Sequence, residues 1–300
     1  MAQTDQTAAP FVDCRCFLGE GITWWAERRA LVWTDIERST LWMHDAAGAR
    51  SWKLPKRLAS FAPNRSGGLL MALEDAIVRA DFDASAPEGL RFAHLADIEP
   101  ELPTTRANDG RPDRSGNFVF GTMNQAAGHA PIGSFYQWST RSGLRRLDLP
   151  NIGISNSICF SPDGGTMYFT DTPTKRIMAC RYDADSAAVS GVREFAVLGP
   201  AQGYPDGSTI DAEGHLWSAA WSGAVARRFR PDGTVEREVP VPAPNVTCLA
   251  FGGPDLNELY ITTARQDMSP ADLERVPGIG GVYRAMPEGV RGLQDTLFAD

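Results

Sequence analysis

Three short motifs carry oxygen-bearing side chains of the kind that bind a divalent metal ion. Glu20 lies in LGEG, Asn156 in ISNS and Asp206 in YPDG. Two carboxylates and one amide oxygen suit Ca²⁺, Mg²⁺ or Mn²⁺, and Zn²⁺ and Fe²⁺ also accept carboxylates. Two carboxylates held close together repel each other and lose hydration, and a cation offsets that repulsion. The chemistry therefore depends on whether the fold brings these three residues together.

Ordinary turns are a competing interpretation, because Asp-Gly and Asn-Asp-Gly are common turn sequences. We interpret Asp109-Gly110, Asp163-Gly164 and Asp232-Gly233 as turns of this kind. The chain has no GxSxG, HExxH or glycine-rich phosphate-binding motif. Its four histidines lack metal-ligand spacing and are predicted to be surface or strand residues: His44, His94, His129 and His215.

Repetition along the chain predicts the elements that would position the three residues. Six short apolar runs each follow a turn cluster, and a second turn and another strand follow each run. The runs are residues 30–33, 68–72, 117–121, 166–170, 215–219 and 258–262. In four of the clusters the glycines are spaced by 49, 48 and 50 residues: Gly67, Gly116, Gly164 and Gly214. A period of about 40–50 residues with several strands per unit is typical of a β-propeller.

We therefore predict an all-β fold: a six-bladed β-propeller with four-stranded antiparallel blades around a central channel. The innermost strands of a propeller line that channel, so equivalent positions in different blades converge on its axis. Glu20, Asn156, Asp206 and the RANDG motif at 106–110 all precede the predicted innermost strand of their unit. The repeat thus favours a shared site over isolated turns.

The chain ends are predicted from composition and from the need to close the ring. Residues 1–10 are expected to form a disordered tail, and residues 11–300 a single propeller domain. One terminal segment should complete the blade at the other end, because closure removes exposed sheet edges. A short helix is predicted after Ser269, where a capping serine precedes Pro270.

Composition excludes several classes of function. The 300 residues are 43% apolar and carry a net charge of −8, which disfavours nucleic acid as a partner. No signal peptide and no membrane-spanning apolar run are evident, and no obligate protein partner is indicated. The five cysteines contain no CxxC pair and are predicted to be reduced thiols in a cytoplasmic protein.

Five segments resemble the SMP-30/gluconolactonase family, also called the regucalcin family. They are LGEG at 18–21, RANDG with GNFVFGTM at 106–123, ISNSICFSPDGGTMYFTDT at 154–172, YPDGSTIDAEGHLW at 204–217 and APNVTCLAFGGPDLNELYITTA at 243–264. The resemblance covers roughly residues 15–290. The later segments look especially like bacterial aldonolactonases, including xylonolactonase. One departure is Ser157, because the family often has glycine after this asparagine.

The resemblance implies one divalent metal at the channel mouth, bound by Glu20, Asn156 and Asp206. Its identity is left open among Ca²⁺, Zn²⁺, Mn²⁺, Mg²⁺ and Fe²⁺. It further implies that Arg106 and Asn108 hold the substrate, and Asn124 or Gln125 is expected to contact sugar hydroxyls.

The implied activity is hydrolysis of a sugar lactone to the aldonic acid. The metal would polarise the lactone carbonyl or activate water, with Asp206 as general base. Two alternatives remain open: another small-molecule hydrolase, acting on an ester or phosphotriester, and a non-enzymatic propeller that binds calcium or another ligand. A protein-interaction propeller of the WD type is disfavoured, because its repeat motif is absent.

Overall fold

The computed structural model describes residues 2–83 and 89–300. The predicted six-bladed propeller is confirmed: six antiparallel sheets, here called blades I to VI, follow one another along the chain. Two short strands come first, β1 (Gln3–Thr4) and β2 (Ala9–Val12). Both lie in blades formed mainly by the C-terminal part of the chain.

The remaining strands fill the blades in order from the axis outwards. Blade I contains β3 (Gly19–Trp25), β4 (Ala30–Asp35), β5 (Thr40–Asp45) and β6 (Gly48–Lys53). Blade II contains β7 (Leu58–Pro63), β8 (Leu69–Leu73), β9 (Ala76–Phe82) and β10 (Leu90–Asp97). Blade III contains β11 (Thr105–Pro112), β12 (Phe118–Asn124), β13 (Phe135–Ser139) and β14 (Gly143–Arg146).

The second half of the ring repeats the pattern. Blade IV contains β15 (Ser155–Phe160), β16 (Thr166–Asp171), β17 (Arg176–Asp183) and β18 (Ala188–Val197). Blade V contains β19 (Tyr204–Ile210), β20 (Leu216–Trp221), β21 (Val225–Phe229) and β22 (Val235–Pro240). Blade VI contains β23 (Val246–Gly252), β24 (Glu258–Thr263) and β25 (Val282–Ala285), with β2 as its fourth strand.

Helices are few in the part of the chain that the structure describes. The predicted short helix is confirmed as α1 (Pro270–Arg275), where the Ser269 hydroxyl accepts a hydrogen bond from the Asp272 N–H. Three single-turn 3-10 helices are Ala26–Arg28, Thr172–Thr174 and Pro200–Gln202. No helix over residues 2–83 and 89–300 is long and apolar enough to cross a membrane.

The core is divided among the interfaces between neighbouring blades. The six predicted apolar runs lie in the second strand of each blade, and their side chains pack against the next blade. Trp25, Trp33 and Trp217 are almost completely buried in three of these interfaces. β23 contacts β3, which closes the ring of innermost strands. Burial of large apolar side chains on both faces of each blade is the main stabilising term.

The N-terminal segment differs from its prediction. Residues 1–10 were expected to be a disordered tail, but Gln3 and Thr4 pair in parallel with β22, and β2 pairs with β25. The polar composition of the segment conceals this pairing, because an outermost strand needs backbone hydrogen bonds more than apolar side chains. The expectation that a terminal strand completes the far blade is confirmed by β2.

The C-terminal segment lies against several blades. The carboxylate of Asp295 is 2.6 Å from Arg111 of β11 and accepts a hydrogen bond from Thr23 of β3. Phe298 forms an isolated bridge with Asn64, and its N–H donates to the Pro63 oxygen. These contacts hold the end of the chain beside the innermost strands.

Candidate metal and substrate site

A β-bulge in each of four innermost strands positions the predicted site residues. Regular pairing is interrupted between Glu20 and Thr23, at 107–110, at 156–159 and at 205–208. The sequence had suggested that these residues lie just before the innermost strands. In the structure they lie within those strands. A bulge re-aims the side chain that it contains, which allows these polar side chains to point along the channel.

The bulges bring five of the six predicted site residues to one cavity of about 240 Å³. The lining residues from the prediction are Glu20, Arg106, Asn108, Asn156 and Asp206. The other residues that line it are Leu18, Met123, His129, Ile154, Thr172, Trp221, Gln266 and Asp267. Asn124 is not among them. Residues from five different blades therefore contribute to the site.

Two carboxyl groups face each other at the bottom of the cavity. Asp206 is buried and Glu20 is half-buried, and they lie within hydrogen-bonding reach of each other. Burial, followed by the charge of Asp109, raises the pKa of Glu20 to about 8. Burial and the charge of Glu20 raise the pKa of Asp206 well above its ordinary value. Without a cation, burial and the neighbouring carboxyl group therefore favour the protonated form of both side chains.

The oxygens of Asp206 provide a direct test of whether a metal ion fits. Oδ1 is inaccessible to solvent and has no hydrogen-bond donor among the described residues. A buried carboxylate oxygen without a donor is costly, and a cation is a partner that removes this cost. The Glu20 carboxylate receives one N–H, from Gly21 at 3.2 Å, which leaves it further acceptor capacity. The residues present fit a divalent cation.

Asn156 is oriented with its amide nitrogen directed away from the carboxylates. Nδ2 donates to Thr172 Oγ1 at 2.9 Å, and Thr172 in turn donates to the Pro205 oxygen at 3.0 Å. Oδ1 accepts one hydrogen bond from Asn108 Nδ2 at 3.3 Å. An amide oxygen has two acceptor sites, so Asn156 Oδ1 retains one for a metal ion.

Arg106 and Asn108 form one rigid unit on β11. Arg106 Nη1 donates to Asn108 Oδ1 at 2.7 Å and to the Ala107 oxygen at 2.8 Å. Arg106 Nη2 is 3.7 Å from Glu37, which also contacts Arg57. Burial lowers the pKa of Arg106 to about 10, which leaves the guanidinium charged at neutral pH. The cavity thus contains a fixed cation beside the two carboxyl groups.

Asp109 contradicts its interpretation as a turn residue. It lies within β11, where Oδ2 accepts the Ile158 N–H at 2.8 Å and Oδ1 accepts the Gly110 N–H at 2.9 Å. It thereby links the bulges of blades III and IV. Asp163 and Asp232 do occupy turns, where each accepts backbone N–H groups two residues ahead.

A second cluster of acidic side chains, in blade V, is already paired with an arginine. Ligand atoms of Asp211, Glu213 and His215 lie within 4.8 Å of one another in blade V. Arg228 donates to both carboxylates, at 2.7 Å to Asp211, and contacts Glu236 as well. Its single positive charge offsets part of the negative charge of the group through direct contacts.

Asn124 is placed next to the cavity but is directed into its own loop. Its Nδ2 donates to the Ala130 oxygen at 3.0 Å, and its Oδ1 accepts the Ala126 N–H at 3.0 Å. The loop that it holds carries His129, a residue to which the sequence assigned no role. The long connection between β12 and β13 was the available signal, because loops at a channel mouth carry specificity.

Comparison with known proteins extends these observations. The family model described as SMP-30/Gluconolactonase/LRE-like region matches residues 18–265. L-arabinolactonase of Azospirillum brasilense is 41% identical over 97% of this chain and 95% of its own length. A pentonolactonase of Haloferax volcanii is 34% identical, covering 87% of this chain and 86% of its own. Regucalcin from Agrobacterium tumefaciens, solved as a calcium-binding protein, superposes with a TM-score of 0.91 at 31% identity, covering 99% of each chain.

Proposed function

Because the chain belongs to the SMP-30/gluconolactonase/LRE-like family, we propose that it hydrolyses a sugar lactone to the aldonic acid with one divalent metal ion. Glu20, Asn156 and Asp206 would hold the ion. The observation that supports this most strongly is the buried Asp206 Oδ1, which has no donor among the described residues and lies beside a second carboxyl group. When bound, such an ion supplies polarisation of a carbonyl oxygen or of water.

Asp206 is the general base in this proposal. Its carboxylate takes a proton from the water that attacks the lactone carbonyl carbon. The same proton returns to the ring oxygen when the bond between the carbonyl carbon and that oxygen breaks, so the product is the open-chain acid. No group in the described part of the cavity competes with Asp206 as a buried carboxylate, apart from Glu20.

Arg106 and Asn108 orient the substrate. All polar hydrogens of the Arg106 guanidinium are hydrogen-bond donors, and the hydrogen bond to Asn108 Oδ1 fixes the plane of the group. Asn108 Nδ2 is committed to the Ser155 oxygen at 2.8 Å and to Asn156. Both groups are pre-positioned before substrate enters, which lowers the entropic cost of binding a polyhydroxylated ring.

Substrates with five carbons are the first to test. The two relatives with the highest identities reported above are an L-arabinolactonase and a pentonolactonase. A cavity of about 240 Å³ is small, in keeping with a single sugar ring. The free state of all five cysteine thiols supports the cytoplasmic location predicted from the sequence.

The test is hydrolysis of a panel of pentono- and hexonolactones by chelated protein with and without added Ca²⁺, Mg²⁺, Mn²⁺, Zn²⁺ or Fe²⁺. We expect metal-restored turnover, and we expect Asp206→Asn to lower kcat at least 100-fold, since general-base catalysis contributes about 10²–10⁴-fold. Asp232→Asn, in an exposed turn, is the matched control. Metal binding without turnover on any lactone would instead favour a calcium- or ligand-binding propeller.

A further inference from the structure

The loop between β12 and β13 places a histidine ring at the cavity. Nδ1 of His129 lies 2.7 Å from the backbone oxygen of Asn124, and the residue lines the cavity. A carbonyl oxygen can only accept a hydrogen bond, so Nδ1 must carry the hydrogen. In the neutral ring Nε2 is then unprotonated and has a free lone pair.

The backbone of the loop fixes the position of this ring. His129 has φ of 46°, in the left-handed region, and its N–H donates to the Ala126 oxygen at 3.0 Å. Asn124 binds Ala126 and Ala130 on either side of the histidine. Gly153 packs so closely that a β-carbon there would lie 2.5 Å from the His129 oxygen. These contacts fix the backbone at His129, and the hydrogen bond from Nδ1 to the Asn124 oxygen orients the ring on that backbone.

Nε2 of His129 forms no hydrogen bond with any residue in the described ranges, whereas Nδ1 of the same ring is hydrogen-bonded to the Asn124 oxygen. The polar side chains that carry the proposed function line the same cavity and offer other kinds of contact. Arg106 only donates, and Glu20 and Asp206 are committed to the metal ion in the proposed function. Sugar hydroxyls donate as well as accept, so a polyhydroxylated ring also needs acceptors that the metal does not occupy, and Nε2 of His129 adds one to those of Gln266 and Asp267 in the same lining.

We propose that Nε2 of His129 accepts a hydrogen bond from one hydroxyl group of the sugar lactone, and that Asn124 is a positioning residue that acts through this ring. The inference rests on the proposed function and extends it, because it assigns a residue that selects among lactones. The sequence had assigned contact with sugar hydroxyls to Asn124, and the proposal divides that role between Asn124 and His129. Asn124 shapes the loop, and His129 makes the contact.

His129→Asn is the decisive substitution. The shorter amide still offers a donor near the Asn124 oxygen and tolerates a positive φ, but it has no atom in the position of Nε2. The measurement is kcat/KM for a lactone and for its deoxy analogues, each lacking one hydroxyl. We expect the preference for the intact lactone over one of these analogues to fall about 5-fold, mostly through KM, since a hydrogen bond contributes roughly 1 kcal/mol.

His94→Asn is the matched control, because the exposed His94 lies on the outermost strand of blade II, where its ring is 2.9 Å from the Asp97 carboxylate and is not part of the cavity lining. The His94→Asn variant should show the same preference for the intact lactone over each deoxy analogue as the unmodified protein. Equal losses on every lactone, or no change in any preference, after His129→Asn would overturn the inference. His129→Gln restores an acceptor near Nε2 and should recover part of the preference.

The role of Asn124 is tested by a double-mutant cycle. Asn124→Ala should reduce the preference for the same hydroxyl in the unmodified background and have little further effect on it in the His129→Asn background. Such non-additivity is expected when one residue acts through the other. Additive effects on that preference would contradict the positioning role.

Binding of aldonolactams, measured by calorimetry on metal-loaded protein, separates this inference from the proposed function. The lactam keeps the ring and its hydroxyls but resists hydrolysis. If no lactone is hydrolysed and lactam binding still depends on His129 through one hydroxyl, the proposed function fails and the contact stands. If lactones are hydrolysed and neither preference nor lactam affinity depends on His129, only the inference fails.

Discussion

The charge of Glu20 and Asp206 has opposite effects on folding with and without a metal ion. Both groups are taken from water into a cavity where the charge of a third carboxylate, Asp109, adds repulsion, and the Arg106 guanidinium only partly offsets this for Glu20. In the metal-free protein this environment favours the protonated forms. A divalent cation reverses the preference, since the ionised forms then have a partner.

At this residue scale we predict that the metal-free protein loses stability as the pH rises from about 4.5 to about 8. In that interval the unfolded chain has ionised Glu20, whose ordinary pKa is 4.5, while the folded protein retains the proton up to a pKa of about 8. The folded state therefore binds more protons than the unfolded state, and its stability falls with rising pH. Thermal unfolding in chelator across this range is the measurement.

Glu20→Gln is the control for this pH dependence. The variant should show a smaller fall in Tm over the same interval and should be more stable than the parent at pH 8 in chelator. Added Ca²⁺ should raise the Tm of the parent by several degrees and that of the variant by much less. A steeper fall with pH in the variant would refute the explanation.

At the scale of elements, the bulges that position the site are held to one another across blades. Ser157, completely buried in the bulge of β15, has φ of 59° and donates from Oγ to the backbone carbonyl oxygen of Asp206 at 2.6 Å. A left-handed backbone normally favours glycine. The serine hydroxyl compensates for this strain by tying the bulge of blade IV to that of blade V.

Replacement of Ser157 tests this link. Ser157→Ala keeps the strained φ and loses the hydrogen bond, so we expect a loss of about 1–3 kcal/mol in the free energy of unfolding. Ser157→Gly also loses the bond but relieves the strain, so it should be more stable than the alanine variant by roughly 1 kcal/mol. Urea unfolding of both variants gives the comparison.

Ser208 provides the matched pair for this comparison. It is also buried in an innermost strand, its φ is not positive, and its Oγ has no hydrogen-bond partner among the described residues. There the order should reverse, with alanine more stable than glycine. The same order at both positions would show that backbone conformation does not determine the stability of the bulge.

At the scale of the whole molecule, the ring depends on a strand from the far end of the chain. Deletion of residues 2–12 removes β2 and exposes the edge of β25. We predict a lower Tm and concentration-dependent aggregation, because an unpaired edge strand binds other chains. Deletion of residues 2–7 alone is the control, since it removes β1 but keeps β2. Equal behaviour of the two deletions would contradict this role.

The ring also explains which features the sequence could predict. Glu20, Asn156 and Asp206 were found because equivalent positions in a repeat must converge on one axis. The orientation of Asn124 was not, because it depends on the particular turn that joins Ala126 to Ala130. Asp109 was misinterpreted for a related reason: an Asp-Gly pair in a bulge has the same letters as one in a turn.

Completion of blade VI by β2 has a consequence for synthesis of the protein on the ribosome. The residues of β2 emerge long before their partner and must wait until β25 has been translated some 270 residues later. Earlier blades can form their internal hairpins during this time, but the ring cannot close. Closure of so long a loop makes the last step slow, and during this time the nascent chain is most exposed to chaperones and proteases.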